Sequence, residues 1–413
     1  MLPGGLEAWV WRRKGFYNRH ASFAARFGAM DALFEADGRV WEVPDGTAHF
    51  LEHMAFETSK GSALGLFSRL GVRANAFTSH TSTAYYFSGT DNFWPALRQL
   101  VELVVTSRLT PKGVDDERRV ISQEIRMYED SPEAKVFEEL LAAMYRSHPI
   151  RRRIAGTLDS VASVTPDTLL RCHRTFYHPS NLVFVAAGDV EPCRVFDTVA
   201  AELVRLGADR PGPGLRRLYP DEPALPARPR VSRAMPVKRP SFLVGFKDSP
   251  VGSGSPHDAS FGREITLNLV VEALLGPASG LYDSLYRDGL VDDSFSARYT
   301  CGSGFGHVVA GGTTRDAEVS SERLLEGISR LRPKGIERAD FERKRRKALG
   351  QFLGLFDSLE GLATLLIIYR MRGIDLLEYP RVLGALAAEE AERTFQELFR
   401  PEQACVSAVV PGE

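Results

Sequence analysis

The sequence contains little cysteine and almost no net charge, and both shortages narrow the classes of protein to which it can belong. Its 413 residues include four cysteines, which lie far apart and form no C-x-x-C pair. Neither a disulfide framework nor a cysteine zinc site is therefore indicated, and we expect a reducing, cytoplasmic setting. The formal net charge of −1 gives no general attraction to nucleic acid or to an anionic membrane, so neither is expected as a partner.

Long apolar runs and several common catalytic motifs are also missing. The longest mainly apolar run, Leu362 to Tyr369, is far shorter than the roughly 20 residues that a membrane-spanning helix needs. Trp9 to Met30 mixes charged and polar residues into its apolar ones, which predicts strands and not a signal peptide. Neither G-x-S-x-G nor the P-loop pattern occurs, which argues against a serine hydrolase and a P-loop nucleotide-binding protein.

One concentration of charge interrupts this neutral pattern. Arg343 to Lys347 is an unbroken basic run within a stretch that has helical character and acidic neighbours. We interpret it as a solvated helix face, and a nucleic-acid patch is the less favoured alternative.

One motif in the sequence has a clear chemical meaning. It is H-x-x-E-H, formed by His49, Glu52 and His53. Histidines four residues apart lie on one face of an α-helix, so both rings can reach the same metal ion. Glu52 sits beside that face and can hold a proton without binding the metal. Zinc lowers the pKa of a bound water to about 7, and a neighbouring carboxylate can then act as general base. From this motif alone, the alternative stays open that the three side chains simply face water on a surface helix.

A helix further along the chain offers a third ligand. Within Asp115 to Asp130, apolar residues recur at helical spacing and predict a buried stripe, with the members Val120, Ile121, Ile125 and Tyr128. Glu124 lies inside this stripe, and Glu117 lies on the same face two turns earlier. A carboxylate on a buried face is costly without a cation or donors, so Glu124 is predicted to bind the metal and Glu117 to support a ligand histidine. Alternatively, both glutamates lie at the edge of the stripe and reach solvent.

Three segments carry a resemblance to the pitrilysin family, the inverted-zincin group that includes insulinase and the mitochondrial processing peptidases. They are residues 46–56, 75–79 and 123–130, with the sequences GTAHFLEHMAF, NAFTS and QEIRMYED. Two further segments, 177–182 and 285–290, are similar but less specific. The resemblance covers most of the chain and implies a duplicated α+β architecture.

The resemblance also implies roles for individual residues. It makes His49, His53 and Glu124 the ligands of one Zn²⁺ ion per chain. Glu52 becomes the general base that activates water, and Glu117 becomes an acidic helper in the catalytic site.

An extended substrate is expected on an edge strand, because members of this family lay substrate on the residues that correspond to Asn75, Ala76, Phe77 and Thr78. The residues themselves agree, since Ala74 to Ser79 and Thr83 to Ser88 are strand-like runs joined by a short polar turn. An unpaired edge binds peptide backbone by strand addition. Ordinary sheet structure explains the hairpin equally well, and His80 in the turn is a weaker candidate for substrate contact.

The second half lacks a pair of residues that the resemblance leads us to expect. Family members carry an Arg and a Tyr there that hold substrate over the metal, but the aligned positions hold Leu285 and Asp292. Asp cannot donate the hydrogen bond of a phenol. We therefore expect a homologous partner chain, in a heterodimer, to supply the pair, and a homodimer is the alternative. The alternative also stays open that Arg287, Tyr282 or Tyr299 of this chain takes the place of the expected Arg or Tyr.

Proline marks the division of the chain. Residues 211–240 contain eight prolines, which opposes a continuous helix or a central strand. We predict a zinc-binding catalytic α+β domain over residues 1–210, a proline-rich linker over 211–240, and a second α+β domain of similar architecture over 241–413. Each domain is expected to be a mainly antiparallel sheet with helices packed on one face. The two halves also end alike, in a helix, a proline and a short apolar strand.

The sequence thus predicts a zinc-dependent endopeptidase subunit that hydrolyses peptide bonds in extended or unfolded peptides. A non-catalytic structural or peptide-binding subunit of a peptidase-like complex is the alternative, because the Arg and Tyr positions are altered. The presence of Glu52 argues against that alternative, since a scaffold has no need of a general base.

Overall fold

The computed structural model describes residues 1–58, 61–248 and 261–412. The chain forms two compact units. The first consists of Met1–Ile125, Arg152–Leu218 and Gly354–Leu376, and the second consists of Arg126–Arg151, Tyr219–Leu353 and Leu377–Glu413.

Both units combine strands with helices, so the predicted α+β class is confirmed. The strands are β1 (Glu7–Arg12), β2 (Arg19–Ala25), β3 (Leu33–Ala36), β4 (Arg39–Glu42), β5 (Glu57–Thr58), β6 (Gly61–Ser62), β7 (Arg73–Thr78), β8 (Thr83–Gly89), β9 (Leu182–Gly188), β10 (Leu215–Arg217), β11 (Arg230–Met235), β12 (Ser241–Lys247), β13 (Ser296–Gly302), β14 (Phe305–Thr313) and β15 (Ala404–Pro411). The α-helices are α1 (Thr47–Ala55), α2 (Ala63–Arg69), α3 (Phe93–Val105), α4 (Pro111–Glu129), α5 (Pro132–Met144), α6 (Leu158–Ala162), α7 (Pro166–Phe176), α8 (Pro192–Arg205), α9 (Phe261–Leu275), α10 (Gly280–Arg287), α11 (Ala317–Leu331), α12 (Arg338–Gly354), α13 (Leu359–Met371), α14 (Tyr379–Ala385) and α15 (Ala388–Leu398).

The main sheet of the first unit has the strand order β1-β9-β2-β8-β7. β1 and β9 are parallel, and the other neighbours are antiparallel. Helices lie on both faces of this sheet, and not on one face only as the sequence predicted. Alternation along a strand places Phe87 and Ser88 on opposite sides. Phe87 stacks with Phe67 of α2, whereas Ser88 donates a hydrogen bond to Glu360 of α13. β7 lies at the edge, and its outer side has no strand neighbour in the described part of the chain.

The main sheet of the second unit, β11-β15-β12-β14-β13, repeats that arrangement. Its first pair, β11 and β15, is parallel, and the remaining pairs are antiparallel. In each sheet the strand beside the first one follows a helix and a short proline-containing turn, α7 before β9 and α15 before β15. The predicted likeness of the two halves is therefore confirmed in strand order and direction.

Each unit contains one helix that lies in the other half of the sequence. α13 packs against β2 and β9 of the first sheet. At the end of this helix, the Arg370 guanidinium lies 3.7 Å from the centre of the Trp9 ring, and Arg26 donates to the carbonyl oxygen of Met371 at 2.9 Å. α5 packs in the same way against β12 and β15 of the second sheet. The compact units thus differ from the predicted domains 1–210 and 241–413 by the exchange of residues 126–151 and 354–376.

The proline-rich segment contributes strands only at sheet edges. In the described chain, β10 pairs with β3 alone and β11 pairs with β15 alone. Proline has no backbone N–H to donate, which confines it to edge strands and turns. The prediction that residues 211–240 hold neither a long helix nor a central strand is confirmed.

The basic run on α12 is paired with acidic neighbours. Lys344 and Lys347 both reach Glu272, at 3.4 and 2.6 Å, and Arg343 pairs with Asp340 at 2.7 Å. Lys344 is buried, so this face is only partly the solvated one that the sequence predicted.

The cysteines are free thiols in the structure. Among the described residues, no single helix is both long and apolar enough to cross a membrane. Two bent pairs of helices reach that length and composition only when their members are taken together, Phe261–Leu275 with Gly280–Arg287 and Arg338–Asp357 with Leu359–Met371.

Candidate metal centre

Helix α1, which carries the H-x-x-E-H motif, begins at a tightly packed pair of glycines. Gly46 precedes the helix with a φ of 87°, and a Cβ atom on it would lie 2.5 Å from the carbonyl oxygen of Ala155. Gly156, with a φ of 76°, leaves the same small space on the other side, where its Cβ would lie 2.5 Å from the carbonyl oxygen of Asp45. Arg152 adds an ion pair with the Asp45 side chain at 2.8 Å. These contacts fix the start of α1 and the direction in which its motif points.

His49 and His53 lie on one face of α1, as their spacing predicts. Their ring centroids are 4.6 Å apart. The opposite side of the helix is anchored in the core by Phe50, Leu51 and Met54. Nδ1 of His49 is buried and has no hydrogen-bond partner among the described residues, which leaves Nε2 as the nitrogen that meets other groups.

Glu124 of α4 meets both histidines. Its Oε2 atom lies 3.6 Å from Nε2 of His49 and 3.4 Å from Nε2 of His53, and one potential ligand atom from each of the three residues lies within 4.8 Å of the others. Two imidazole nitrogens and one carboxylate oxygen form the donor set of a catalytic zinc site, in which a fourth position is kept for water. The chemistry of the residues therefore fits a zinc ion, and the structure brings together the three residues that the sequence proposed as ligands.

Glu117 contacts the second histidine from behind. Its Oε1 atom lies 2.6 Å from Nδ1 of His53. Burial opposes the charged form of His53, but hydrogen bonds to Glu117 and Glu124 outweigh it and raise the pKa of this histidine to about 9. Burial lowers the pKa of His49 to about 4. A carboxylate that holds Nδ1 turns Nε2 toward the ligand position, so Glu117 orients the His53 ring.

The buried stripe of α4 differs from the predicted one. Ile121 and Ile125 are buried as expected, together with Val114, but Val120 and Tyr128 are 50% and 41% exposed, so their assignment to the stripe is wrong. The buried line of the helix runs through Val114, Ile121 and Ile125, which are spaced by seven and four residues. Val120 precedes Ile121 by one residue and therefore lies about 100° around the helix from that line. The side chains of Glu117 and Glu124 are 16% and 22% exposed, which places both glutamates beside the buried line and directed to the histidines.

Glu52 lies beside the two histidines and is held by the neighbouring sheet. Its Oε2 atom accepts a hydrogen bond from Oγ1 of Thr78 at 2.6 Å. Burial raises the pKa of Glu52, and the hydrogen bond from Thr78 opposes that effect. The predicted general base thus sits next to the candidate metal ligands in a partly desolvated environment.

The predicted substrate residues Asn75, Ala76, Phe77 and Thr78 lie on β7. This strand pairs with β8, with Thr78 opposite Thr83, and forms the outer edge of the sheet beside α1. The hairpin and its edge position are confirmed. The Asn75 side chain accepts a hydrogen bond from the backbone N–H of Ala76 at 2.9 Å.

The sequence did not reveal the groups that stand behind Glu52. Tyr85 and Tyr177 are buried, and their hydroxyl oxygens lie 2.7 Å apart. Glu52 is close enough to both that its charge raises their pKa values further, beyond the larger effect of burial. Tyr85 follows the substrate strand in an ordinary alternating pattern, and no sequence signal connects it with Tyr177.

The positions at which Arg and Tyr were expected have structural roles in the second unit. Leu285 is buried in its core. Asp292 pairs with Arg239 at 3.0 Å. Tyr299, one possible substitute, donates its hydroxyl proton to the buried Asp248 at 2.8 Å, and it is therefore committed to a contact inside this unit.

Comparison with known sequences identifies relatives of both halves. Residues 38–158 match the family model described as insulinase, peptidase family M16, and residues 163–348 match the model described as the peptidase M16 inactive domain. The uncharacterized zinc protease YmfH of Bacillus subtilis is 34% identical over 420 residues, which cover 99% of this chain and 95% of that protein. The probable mitochondrial-processing peptidase subunit beta of Schizosaccharomyces pombe is 33% identical over 151 residues, 35% of this chain and 33% of that protein.

Solved structures with the same fold include a bacterial peptidase of similar sequence. The M16-like peptidase from Alicyclobacillus acidocaldarius superposes with a TM-score of 0.95 at 36% identity, over 100% of this chain and 97% of that one. A protease from Helicobacter pylori superposes with a TM-score of 0.83 at 19% identity, over 100% and 98% of the two chains, and this second likeness shows the fold alone. Because a relative at 34% identity is matched along almost its whole length, and both halves match models of the same family, the chain belongs to peptidase family M16, the insulinase family.

Proposed function

We propose that this chain is a zinc-dependent endopeptidase subunit that hydrolyses peptide bonds in extended or unfolded peptides. The observation that carries the proposal is the convergence of His49, His53 and Glu124 beside Glu52, a carboxylate on the same helix turn that is itself no member of the ligand cluster. Relatives that are named zinc proteases support the choice of metal.

In this proposal each residue of the site has one task. His49, His53 and Glu124 hold one Zn²⁺ ion, and the described residues contain no second cluster of this kind. When bound, zinc polarises a carbonyl group and lowers the pKa of water, which is the chemistry that amide hydrolysis needs. Glu52 accepts the proton of the attacking water and returns it to the leaving amine. Glu117 keeps the His53 ring in its orientation through the contact at Nδ1.

The edge strand β7 is proposed to bind the substrate backbone. Its position at the border of the sheet, beside the helix that carries the motif, supports binding by strand addition. Such pairing uses main-chain hydrogen bonds and therefore favours an extended peptide over a folded one. Asn75, Ala76 and Phe77 would align the peptide, with its scissile bond near the metal ligands.

A homologous partner chain is proposed to complete the site. Leu285 is buried and Asp292 is paired with Arg239, so neither supplies the Arg and Tyr that hold substrate in the family pattern. A heterodimer in which the partner brings these two residues is favoured, and a homodimer is the alternative. The Schizosaccharomyces pombe relative is itself named a subunit, which supports pairing. Free cysteines are compatible with the cytoplasmic location that we propose.

A non-catalytic structural or peptide-binding subunit is the second candidate. The altered Arg and Tyr positions favour it, as does the match of residues 163–348 to an inactive-domain model. The two candidates differ in what they require of Glu52, because a scaffold gains nothing from a partly buried carboxylate beside a metal site.

The deciding experiment is hydrolysis of a quenched fluorescent peptide by the zinc-loaded chain, with Glu52→Gln as the blank and Glu124→Gln as the metal-site control. We expect Glu52→Gln to keep its zinc and lose hydrolysis, and Glu124→Gln to lose most of its zinc. Cleavage by the chain alone that disappears in Glu52→Gln would support the peptidase and remove the need for a partner. No cleavage, even after a homologous partner is added, would favour the structural subunit, and normal cleavage by Glu52→Gln would refute its role as the base.

A further inference from the structure

A chain of hydroxyl groups runs from Glu52 into the core of the first unit. Oγ1 of Thr78 donates to Oε2 of Glu52 at 2.6 Å and lies 3.2 Å from Oγ1 of Thr83. Behind it, the hydroxyls of Tyr177 and Tyr85 lie 2.7 Å apart. Burial raises the pKa of Tyr177, and Thr83 lies close enough to its hydroxyl to oppose that rise. Four hydroxyl groups thus lie in series between the proposed general base and the interior of the unit.

The direction of the hydrogen bond at Glu52 is fixed. An ionised carboxylate accepts but does not donate, so Thr78 must give its single hydroxyl proton to Glu52. Thr83 donates its own proton to the carbonyl oxygen of Phe27 at 2.9 Å, which holds its hydroxyl oxygen 3.2 Å from that of Thr78. Thr83 therefore limits where the Thr78 hydroxyl can lie.

The inner members of the chain are fixed by packing. Thr83, Tyr85 and Tyr177 are buried, and the Tyr177 ring is stacked on His173 with centroids 5.0 Å apart. A phenol buried in a core costs free energy unless its hydroxyl is hydrogen-bonded, and phenylalanine would fill the same space without that cost. The two hydroxyls meet this requirement by bonding to each other at 2.7 Å, and the charge of Glu52 acts on both of them.

The same contacts argue against a substrate contact through the Thr78 side chain. Its one proton is donated to Glu52, so the Thr78 hydroxyl cannot act as a donor to a peptide on β7. Among the residues that the structure describes, no other hydrogen bond reaches the Glu52 side chain. One carboxylate oxygen is thus anchored, and the other is left for the reacting water.

We propose that Thr78 is a positioning residue for Glu52, and that the buried Thr83, with Tyr177 and Tyr85 behind it, fixes the place of the Thr78 hydroxyl. The inference rests on the proposed function of Glu52 as general base. A base must lie within hydrogen-bond reach of the proton that it removes, and a misplacement of about 1 Å can cost about 10²-fold in rate. Through this series of hydroxyl groups, the position of the Glu52 carboxylate depends on side chains that are packed in the core of the first unit.

The test compares Thr78→Val, which keeps the branched shape and removes the hydroxyl, with Thr78→Ser, which restores the hydroxyl. Thr81→Val, at an exposed threonine in the turn between β7 and β8, is the matched control. On the quenched peptide, we expect the kcat of zinc-loaded Thr78→Val to fall about 10- to 100-fold with KM and zinc content unchanged. Thr78→Ser should recover most of that loss. A wild-type kcat in Thr78→Val, or a rise in KM alone, would overturn the proposal.

A second variant and a second readout separate this inference from the proposed function. Tyr177→Phe removes one hydroxyl of the series without a direct contact to Glu52. We expect kcat to fall in this variant too, but by less than in Thr78→Val. An unchanged kcat would show that the two tyrosines have no role in placing Thr78. Crystal structures of metal-free wild type and Thr78→Val need no turnover. We expect the Glu52 carboxylate to leave its wild-type position in the variant, and an unmoved carboxylate would overturn the inference even if the wild type proved to be an active peptidase. If the wild type cleaves nothing even with a homologous partner present, the proposed function fails while this comparison still decides what Thr78 does.

Discussion

Nδ1 of His53 and Oε1 of Glu117 lie 2.6 Å apart, although 64 residues separate them in the chain. Nε2 of the same imidazole faces Glu124 at 3.4 Å. One ring is therefore held from both sides by carboxylates that lie two helical turns apart on α4. The contact with Glu117 uses only Nδ1 and leaves Nε2 directed to the candidate metal position, so Glu117 supports that site and is not one of its candidate ligands.

Glu117→Gln is expected to weaken zinc binding by about 10- to 100-fold, because loss of a carboxylate behind a ligand histidine reduces both its basicity and its orientation. Competition with a chromophoric chelator measures this affinity. Asp116→Asn is the matched control, since Asp116 lies on the same helix but pairs with Arg119 at the surface. Equal weakening in the two variants would assign the effect to net charge and not to the contact with His53.

Gly156→Ala is expected to lower both the stability of the first unit and its affinity for zinc. A positive φ costs a non-glycine residue roughly 1–2 kcal/mol, and the added Cβ would also lie 2.5 Å from the backbone oxygen of Asp45, next to the start of α1. Gly207→Ala is the control, because Gly207 has a φ of 70° with no atom within 4 Å of the added Cβ. Chemical denaturation and zinc titration should show a loss beyond the control, and equal losses would mean that the close approach has no effect of its own.

Acid is expected to destabilise the protein through two buried histidines. Burial lowers the pKa values of His20 and His173 to about 4, below the ordinary value of about 6.5 that applies in the unfolded chain. The unfolded state then binds more protons between these values, so the free energy of unfolding is highest above pH 6.5 and decreases as the pH falls toward 4. For each histidine the loss is at most about 3 kcal/mol.

Denaturation of wild type and His20→Asn at several pH values between 4 and 7.5 measures this effect. His20 contacts Ser88 at 2.9 Å, and Ser88 in turn reaches Glu360, so the asparagine keeps a polar partner for that serine. The variant should show a shallower decrease of stability with falling pH than the wild type. Parallel pH curves would contradict the role of His20.

Residues 1–210 expressed alone are expected to aggregate or to remain poorly folded, because the sheet face that α13 covers would be open to water. That face carries Trp9 and Trp11, which contact Arg370 and Phe356 in the intact chain. Size-exclusion chromatography and circular dichroism report the outcome. Fusion of residues 354–376 to the fragment through a flexible linker should recover soluble, folded protein. A monomeric and cooperatively folded 1–210 fragment would show that the exchanged helix is dispensable.

Much of the candidate site is local information, and the sequence therefore predicted it. The spacing of His49 and His53 determines that both rings share a helix face, since that is a property of any α-helix. The same reasoning found Glu124 and Glu117, seven residues apart on α4. Two strand-like runs with Thr, Tyr and Phe, joined by a short polar turn, located the hairpin of β7 and β8. The family resemblance added the roles of these residues.

Prediction was weaker where a choice between neighbouring faces mattered. Val120 and Tyr128 were assigned to the buried stripe, but both are exposed, because apolar character alone does not tell which of two adjacent lines on a helix meets the core. The proline-rich segment was placed correctly away from central strands, since the missing N–H of proline is a local property.

The tertiary structure alone decided what meets at long range. The donation from Thr78 to Glu52 and the hydroxyl chain through Tyr177 join segments with no common pattern in the sequence. The exchange of α5 and α13 between the two units could not be predicted from the sequence either. The pattern of an amphipathic helix shows that one face will be buried, but not which sheet will cover it. Local periodicity thus determined the candidate metal ligands and their helices, whereas the packing of distant surfaces determined how the proposed general base is held.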